Sequence, residues 1–422
     1  MFMPKSKPSI RHSGQLDRQT KLLLAVNGLF ITASALSGTF FGVYIWKASH
    51  DYIQLGWFTL LTHLFMGISF WIAGNGVKEG NKMIAMRLGI GLSAAFYALV
   101  LMLGESAIGY IWLLGIVQGM ATGLFWLAHN VVYFEVTDAD NRDRYNGSAG
   151  VIGSLVGMIV PWCSGYLISI MGGENGYRAI FMISFGIFVA GIGVSFFLRN
   201  RTPEGQYEWK WPYRLLSDRH TAWRPVLGAL TAQGMRESVF GVIVGVLVYV
   251  QTGSEMKLGN FALVTSAVGF VSFYAAGRWL KPAWRNRGMG VGVIAMIAFI
   301  FPFFLGVSFT TLMVFGVGAA LFFPLYMLPM TSAVFDLIGQ DDDSVKRRVE
   351  YVVVRELALN IGRIVGMAIF MATISISRAP MVMNVLLLVI GSSPLLGWLF
   401  MRNLLVSREG QTKVDVKPKG VV

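Results

Sequence analysis

An all-α integral membrane fold, with twelve transmembrane helices in two six-helix pseudo-symmetric bundles, is what this sequence predicts. Three observations lead there. The chain of 422 residues is 55% hydrophobic and only 14% charged, against roughly 45–50% apolar and about 25% charged in soluble domains. Its apolar residues fall into runs long enough to cross a bilayer. One long polar stretch, residues 199–224, divides those runs six and six.

A spanning helix needs about 20 mostly apolar residues. Such runs lie at residues 22–46, 53–74, 84–104, 107–134, 147–170 and 177–198, and again at 225–250, 258–280, 289–307, 310–335, 349–376 and 381–401. The predicted organisation is therefore an N-terminal tail over 1–20, a six-helix bundle over 21–198, a central loop over 199–224, a second bundle over 225–403 and a C-terminal tail over 404–422. The run that follows the basic tail (Lys5, Lys7, Arg11, Arg18) is of full length and lacks a small-residue cleavage site, so the reading includes no cleaved signal peptide. Mean hydropathy is +0.60, which a bilayer accommodates and a single aqueous core does not.

The net charge of +13 raises the question of nucleic acid, but the basic residues sort by topology instead. If both termini are cytoplasmic, 28 of the 35 Lys and Arg lie in inner segments. The outer side holds Lys47, Arg178, Lys257 and Arg378. Such asymmetry over short loops sets orientation in a plasma (inner) membrane, with membrane lipids as the surroundings and no nucleic-acid partner. The single cysteine, Cys163, excludes an intramolecular disulfide, and its apolar neighbours make it a packing residue rather than a reactive thiol.

The halves echo one another. Gly115 opens a run ending in Phe134-Glu135, followed by Asp138, Asp140, Arg142, Asp143 and Arg144 and then by Gly153 and Gly157. Gly316 opens one ending in Phe335-Asp336, followed by Asp341, Asp342, Asp343, Lys346, Arg347 and Arg348 and then by Gly362 and Gly366. Small residues at four-residue spacing let helices approach closely. Transporters built from such repeats place their site at the repeat interface.

Twelve helices in two halves, the basic central loop and the repetition together resemble the major facilitator superfamily over residues 20–403, most nearly its YqgE-type bacterial members. Gly176-Tyr177-Arg178-x-x-Phe181 is similar to the family's glycine–aromatic–arginine entry to helix six. The resemblance implies alternating-access secondary transport, by symport or antiport, of a small-molecule or lipid-like substrate coupled to protons or another ion. It implies neither enzymatic activity nor a cofactor, and a monomer. The family's gating loop after helix two reads differently here: Gly74, Lys78, Glu79 and Lys82 stand in it without the usual aspartate. Helix five, with Gly153, Gly157, Pro161 and Gly165, is similar to an exporter element without matching it, which favours export of an amphiphilic solute.

Ionisable residues at bilayer depth cost several kcal/mol unless paired or wetted, so each is a functional candidate. Helix seven carries Gln233, Arg236 and Glu237, about 17 Å from its cytoplasmic end. The resemblance places helix seven on the central cavity. On helix eleven Glu356, Asn360 and Arg363 share a face, while the helical wheel turns Arg355 elsewhere, in line with Tyr351 and Arg348. The first half contributes Asn27, His63, Trp126 and His129, and the second an aromatic, Tyr326. The reading assigns substrate binding to Arg236, Gln233, Asn27, Asn360, Arg363, Trp126 and Tyr326. Proton coupling falls to Glu237, Glu356, His63 and His129. A structural ion-pair network of Glu356 with Arg363 is the bland alternative. No metal site, phosphate-binding loop or nucleophile triad is present in the sequence, which argues against ATP-driven transport. Rival functions are a flippase for an anionic or glycosylated lipid and, from another class, a non-transporting sensor or membrane enzyme.

Overall fold

The computed structural model describes residues 16–137, 141–200, 205–218, 221–338 and 346–415. Lys5, Lys7, Arg11, Asp138, Asp140, Arg201, Arg219, Asp341, Asp342, Asp343 and Lys417, and the side chain of Asp143, lie outside the described residues.

Long apolar helices bounded by polar caps build the first half: α1 (Arg18–Ser49), α2 (Tyr52–Glu79), α3 (Lys82–Leu103), α4 (Ile111–Val136), α5 (Arg142–Met171) and α6 (Gly173–Ser195). A short helix, α7 (Trp211–Ser217), interrupts the segment expected to be a loop. The second half holds α8 (Trp223–Thr252), α9 (Glu255–Trp279), α10 (Arg285–Ala298), α11 (Phe309–Ile338), α12 (Arg348–Ile376), α13 (Pro380–Gly391) and α14 (Ser393–Asp415). Starts are set by side chains that accept orphan backbone N–H groups: Asp17 from Thr20 at 2.7 Å, Asp51 from Ile53 at 3.2 Å and Asn81 from Met83 at 3.0 Å. These caps start the helices ahead of the apolar runs, by a full turn at α1 and by one or two residues at α2 and α3.

Eleven described segments are long and apolar enough to cross a membrane. One of them, Lys82–Val136, doubles back at a 3-10 stretch, Gly104–Tyr110, into α3 and α4. Twelve crossings result, the last made by α13 and α14 together. The helical pairing in one half repeats in the other: α2 packs on α4 as α9 on α11, α3 on α6 as α10 on α14, and α1 on α5 as α8 on α12. Between halves, α2 against α12 is the counterpart of α5 against α9, with α1 against α8 on the pseudo-axis.

Glycines permit these contacts. A Cβ at Gly362 would collide with the Thr231 carbonyl of α8, and one at Gly165 would stand 2.6 Å from the Glu255 carbonyl of α9. Gly153, by contrast, faces open space. The packing role foreseen for Cys163 is corrected: the residue is exposed, on a helix whose outward face the surrounding apolar residues turn toward lipid.

Candidate functional site between the two halves

Helices α2 and α12 run antiparallel across the interface for their whole length. Gly56 meets Met371 at one end, Gly67 meets Asn360 midway, and Lys78 meets Glu350 at the other. A cavity between α1, α2 and α8 is lined by Gly38, Thr39, Leu55, Thr59, Gly241 and Gly245, among others. Glu237 precedes Gly241 by one turn on α8, so it lies on the same face, and its side chain is 45% exposed.

At mid-depth Arg363 of α12 ties the interface together. It donates to Glu237 Oε1 at 2.9 Å, to Asn360 Oδ1 at 3.2 Å and to the Met66 sulfur of α2 at 3.7 Å. Glu356 Oε2 stands 4.0 Å away as a second acid. Glu356, Asn360 and Arg363 thus share the face the helical spacing predicts. Arg355 does not turn elsewhere, which corrects the wheel: its guanidinium folds back along α12 to bond the Glu356 carboxylate. Glu356 is therefore bound mainly by its neighbour, and the short ion pair of Arg363 is with Glu237.

Arg236 leaves α8 about 100° away from Glu237. It is 9% exposed, and its Cζ lies 5.1 Å from the Phe240 ring and 5.8 Å from that of Phe323. Gln233 and Tyr326 are buried, with Gln233 Oε1 and the Tyr326 hydroxyl making no hydrogen bond. In the first half, Asn27 Oδ1 and His63 Nδ1 are buried without a partner. His129 lies 3.3 Å from the Tyr145 hydroxyl and stacks on Phe125, and Trp126 packs edge-on to Phe30. The structure brings His63 near Arg363 through Met66, three residues along α2, whereas His129 belongs to a separate cluster on α4 and α5.

Where the central segment meets the bundle, buried charges close the interface. Lys78 donates to Glu350 at 2.5 Å, both fully or almost fully buried. Lys82 pairs with Glu135, which also faces Arg348 at 3.8 Å. The central segment straps this end: Tyr207 N donates to Glu79 Oε1 at 2.6 Å, Glu208 N to Glu350 Oε1 at 3.0 Å, and Arg347 to Glu208 Oε1 at 2.7 Å. The Tyr207 ring fills the space beside Gly74 that a Cβ would occupy. Burial, and then the negative charge of Glu350, push the Tyr207 hydroxyl pKa above its ordinary value. Lys78, in the loop that lacks the aspartate, is thus paired with an acid from the other half. Glu350, Tyr207 and Glu208 escaped sequence reasoning; an acid beside Arg347 and Arg348 was the signal available for Glu350.

The opposite end is bridged too. Lys47 of α1 pairs with Glu255 of α9 at 3.0 Å, Tyr177 donates to the same carboxylate at 3.1 Å, and Arg378 pairs with Asp51 at 3.0 Å.

Two pseudo-symmetric six-helix bundles meeting at a polar mid-membrane interface define a multi-pass membrane protein of the transporter class. The comparisons agree. Residues 22–340 match the family described as Major Facilitator Superfamily. The chain is 35% identical over 394 residues to the uncharacterized protein YqgE of Bacillus subtilis (strain 168), covering 93% of this chain and 91% of that one. It is 36% identical over 168 residues to an uncharacterized protein in the sodM 3' region of Geobacillus stearothermophilus, 40% of this chain and 78% of that one. Similar solved structures include a bacterial homologue of the iron transporter ferroportin in an outward-facing state, with a TM-score of 0.63, 14% identity and coverage of 94% of this chain and 100% of that one. A mutant of the nucleoside transporter NupG matches with a TM-score of 0.67, 11% identity and coverage of 91% and 99%. This chain belongs to the major facilitator superfamily, and it is a secondary transporter rather than an enzyme.

Proposed function

We propose that the chain couples a proton gradient to the movement of a small organic or amphiphilic solute, outward across a bacterial plasma membrane, with both termini cytoplasmic. The observation that carries this reading is the Glu237–Arg363 pair. It links α8 to α12 at mid-depth with the carboxylate on the cavity face, beside the helix α2 that belongs to the other half. Protonation of Glu237 removes the charge that holds Arg363, whose second acid, Glu356, waits 4.0 Å away. A proton arriving through the cavity thereby moves Arg363 from an inter-helix partner to one on its own helix. Because α12 packs along α2, that exchange alters the contact between halves. Coupling falls to Glu237 and Glu356, with His63 close by; Asn27, Gln233, Arg236, Asn360, Arg363, Trp126 and Tyr326 supply solute contacts, and His129 a more distant proton site.

The test is solute-dependent proton movement in liposomes containing the purified chain and an entrapped pH dye, over a panel of organic anions, cations and neutral solutes. At least one class should move protons. Glu237→Gln should abolish that movement while solute exchange persists, because the amide keeps the shape and loses the titration. Lipid scrambling without any solute response would favour a flippase, and full proton movement by Glu237→Gln would overturn the assignment.

A further inference from the structure

Arg236 is the buried cation that the coupling scheme leaves unused. It lies near the middle of α8, more than nine-tenths enclosed, and among the described residues no carboxylate comes within ion-pair distance of it. Its Nε donates to nothing, and its guanidinium lies over the faces of Phe240 and Phe323. The adjacent acid, Glu237, points a third of a turn away and is held by Arg363 at 2.9 Å. Two further polar groups are also unbonded: the hydroxyl of fully buried Tyr326 on α11, which stands beside Gly397 of α14 within electrostatic reach of Arg236, and the amide oxygen of Gln233, three residues before Arg236 on the same face of α8.

Aromatic faces attract a cation but take no hydrogen bond along the plane of a guanidinium, so they leave its planar fork open. Water would satisfy N–H groups without neutralising the charge. An anion does both, and a carboxylate matches the fork with two parallel bonds while leaving a lone pair for a hydroxyl donor. We propose that Arg236 and the Tyr326 hydroxyl bind the carboxylate of an organic anion whose apolar body lies against Phe240 and Phe323, which makes the transported solute an organic carboxylate. This rests on the transport reading above, but its test is equilibrium binding and needs no proton movement, so the two fail separately.

The experiment titrates the purified full-length chain in nanodiscs with acetate, benzoate and decanoate. Benzamide serves as the neutral isostere of benzoate, and chloride is titrated separately, in a buffer free of carboxylates, to cover an inorganic anion; thermal unfolding is the readout. Benzoate or decanoate should raise the melting temperature saturably, acetate less, and benzamide not at all. Arg236→Lys should raise the half-saturating concentration roughly tenfold, since an ammonium keeps the charge and loses the fork. Tyr326→Phe, which removes one donor without opening a cavity, should raise it by about tenfold as well. If the Lys variant does not fold, the Phe variant decides. The proposal is overturned by an equal response to benzamide, by chloride giving the whole shift, by no carboxylate response, or by variants that titrate like the parent.

Discussion

Arg363 has two acids within reach and one short bond, and in the proposed coupling the choice between Glu237 and Glu356 is where the proton acts. Replacing Arg363 by Met should leave Glu237 without its cation at bilayer depth, while Glu356 keeps Arg355. Proton-driven accumulation should be lost together with stability, read as a lower melting temperature in detergent. The Lys78–Glu350 pair has a different task, because neither group reaches the cavity. Removing one partner of a buried pair leaves the other charge unpaired, so Lys78→Met should cost about 3–5 kcal/mol, whereas the double variant Lys78→Met/Glu350→Gln should recover much of it. A double variant no more stable than Lys78→Met would show that the pair is not what holds this end. How much of this the sequence revealed depended on reach. Glu356, Asn360 and Arg363 were legible because they recur at helical spacing on one apolar segment. Glu350 was not, since its partner lies 272 residues away. The misplaced Arg355 has a separate cause: a wheel positions Cβ atoms, but a long flexible side chain can fold back to its neighbour.

Helix contacts carry the next level. Gly362 meets the α8 backbone so closely that Gly362→Ala must push α12 from α8, at a cost of about 1–3 kcal/mol. Gly153→Ala meets nothing within 4 Å and replaces a poor helix former, so it should be neutral or stabilising by up to about 1 kcal/mol. Gly362→Ala should lower the melting temperature while Gly153→Ala leaves it unchanged or raises it; equal losses would contradict the packing described. The strap formed by Tyr207 and Glu208 gives a second test at this scale. Tyr207→Ala empties the space beside Gly74, and hydrogen exchange over residues 205–218 should then quicken markedly while α2 and α12 stay protected. Glycine spacing announced both small-residue pairs, but not which would be tight: Gly153 and Gly362 look alike in sequence, and only the partner helix distinguishes them. The strap was hidden because a polar, basic segment reads as solvated loop, and its bonds to Glu79, Glu350 and Arg347 depend on how the halves dock.

At the scale of the molecule, twelve crossings and two halves were plain in the hydropathy and in the central polar break, since a bilayer demands long apolar helices whatever their tertiary partners. The repeat too was visible, and the matched pairing of α2 with α4 and α9 with α11 gives it physical form. Inter-half bridges at both membrane faces, Lys78–Glu350 at one and Lys47–Glu255 at the other, cannot all persist if a solute is to pass. Alternating access requires the two ends to part in turn, and the proposed coupling makes the Glu237–Arg363 layer the pivot. Spin-label distances measure this most directly. Gly147 and Gly277, in opposite halves near the central segment, and Ala48 and Met381, in opposite halves at the far end, are exposed positions suited to labels. Across pH in nanodiscs, the two distance distributions should shift in opposite senses, one pair lengthening as the other shortens, and Glu237→Gln should freeze the pH response. Distances that stay fixed at both ends, or lengthen together, would contradict a molecule that works by rocking its halves about a titrating pair.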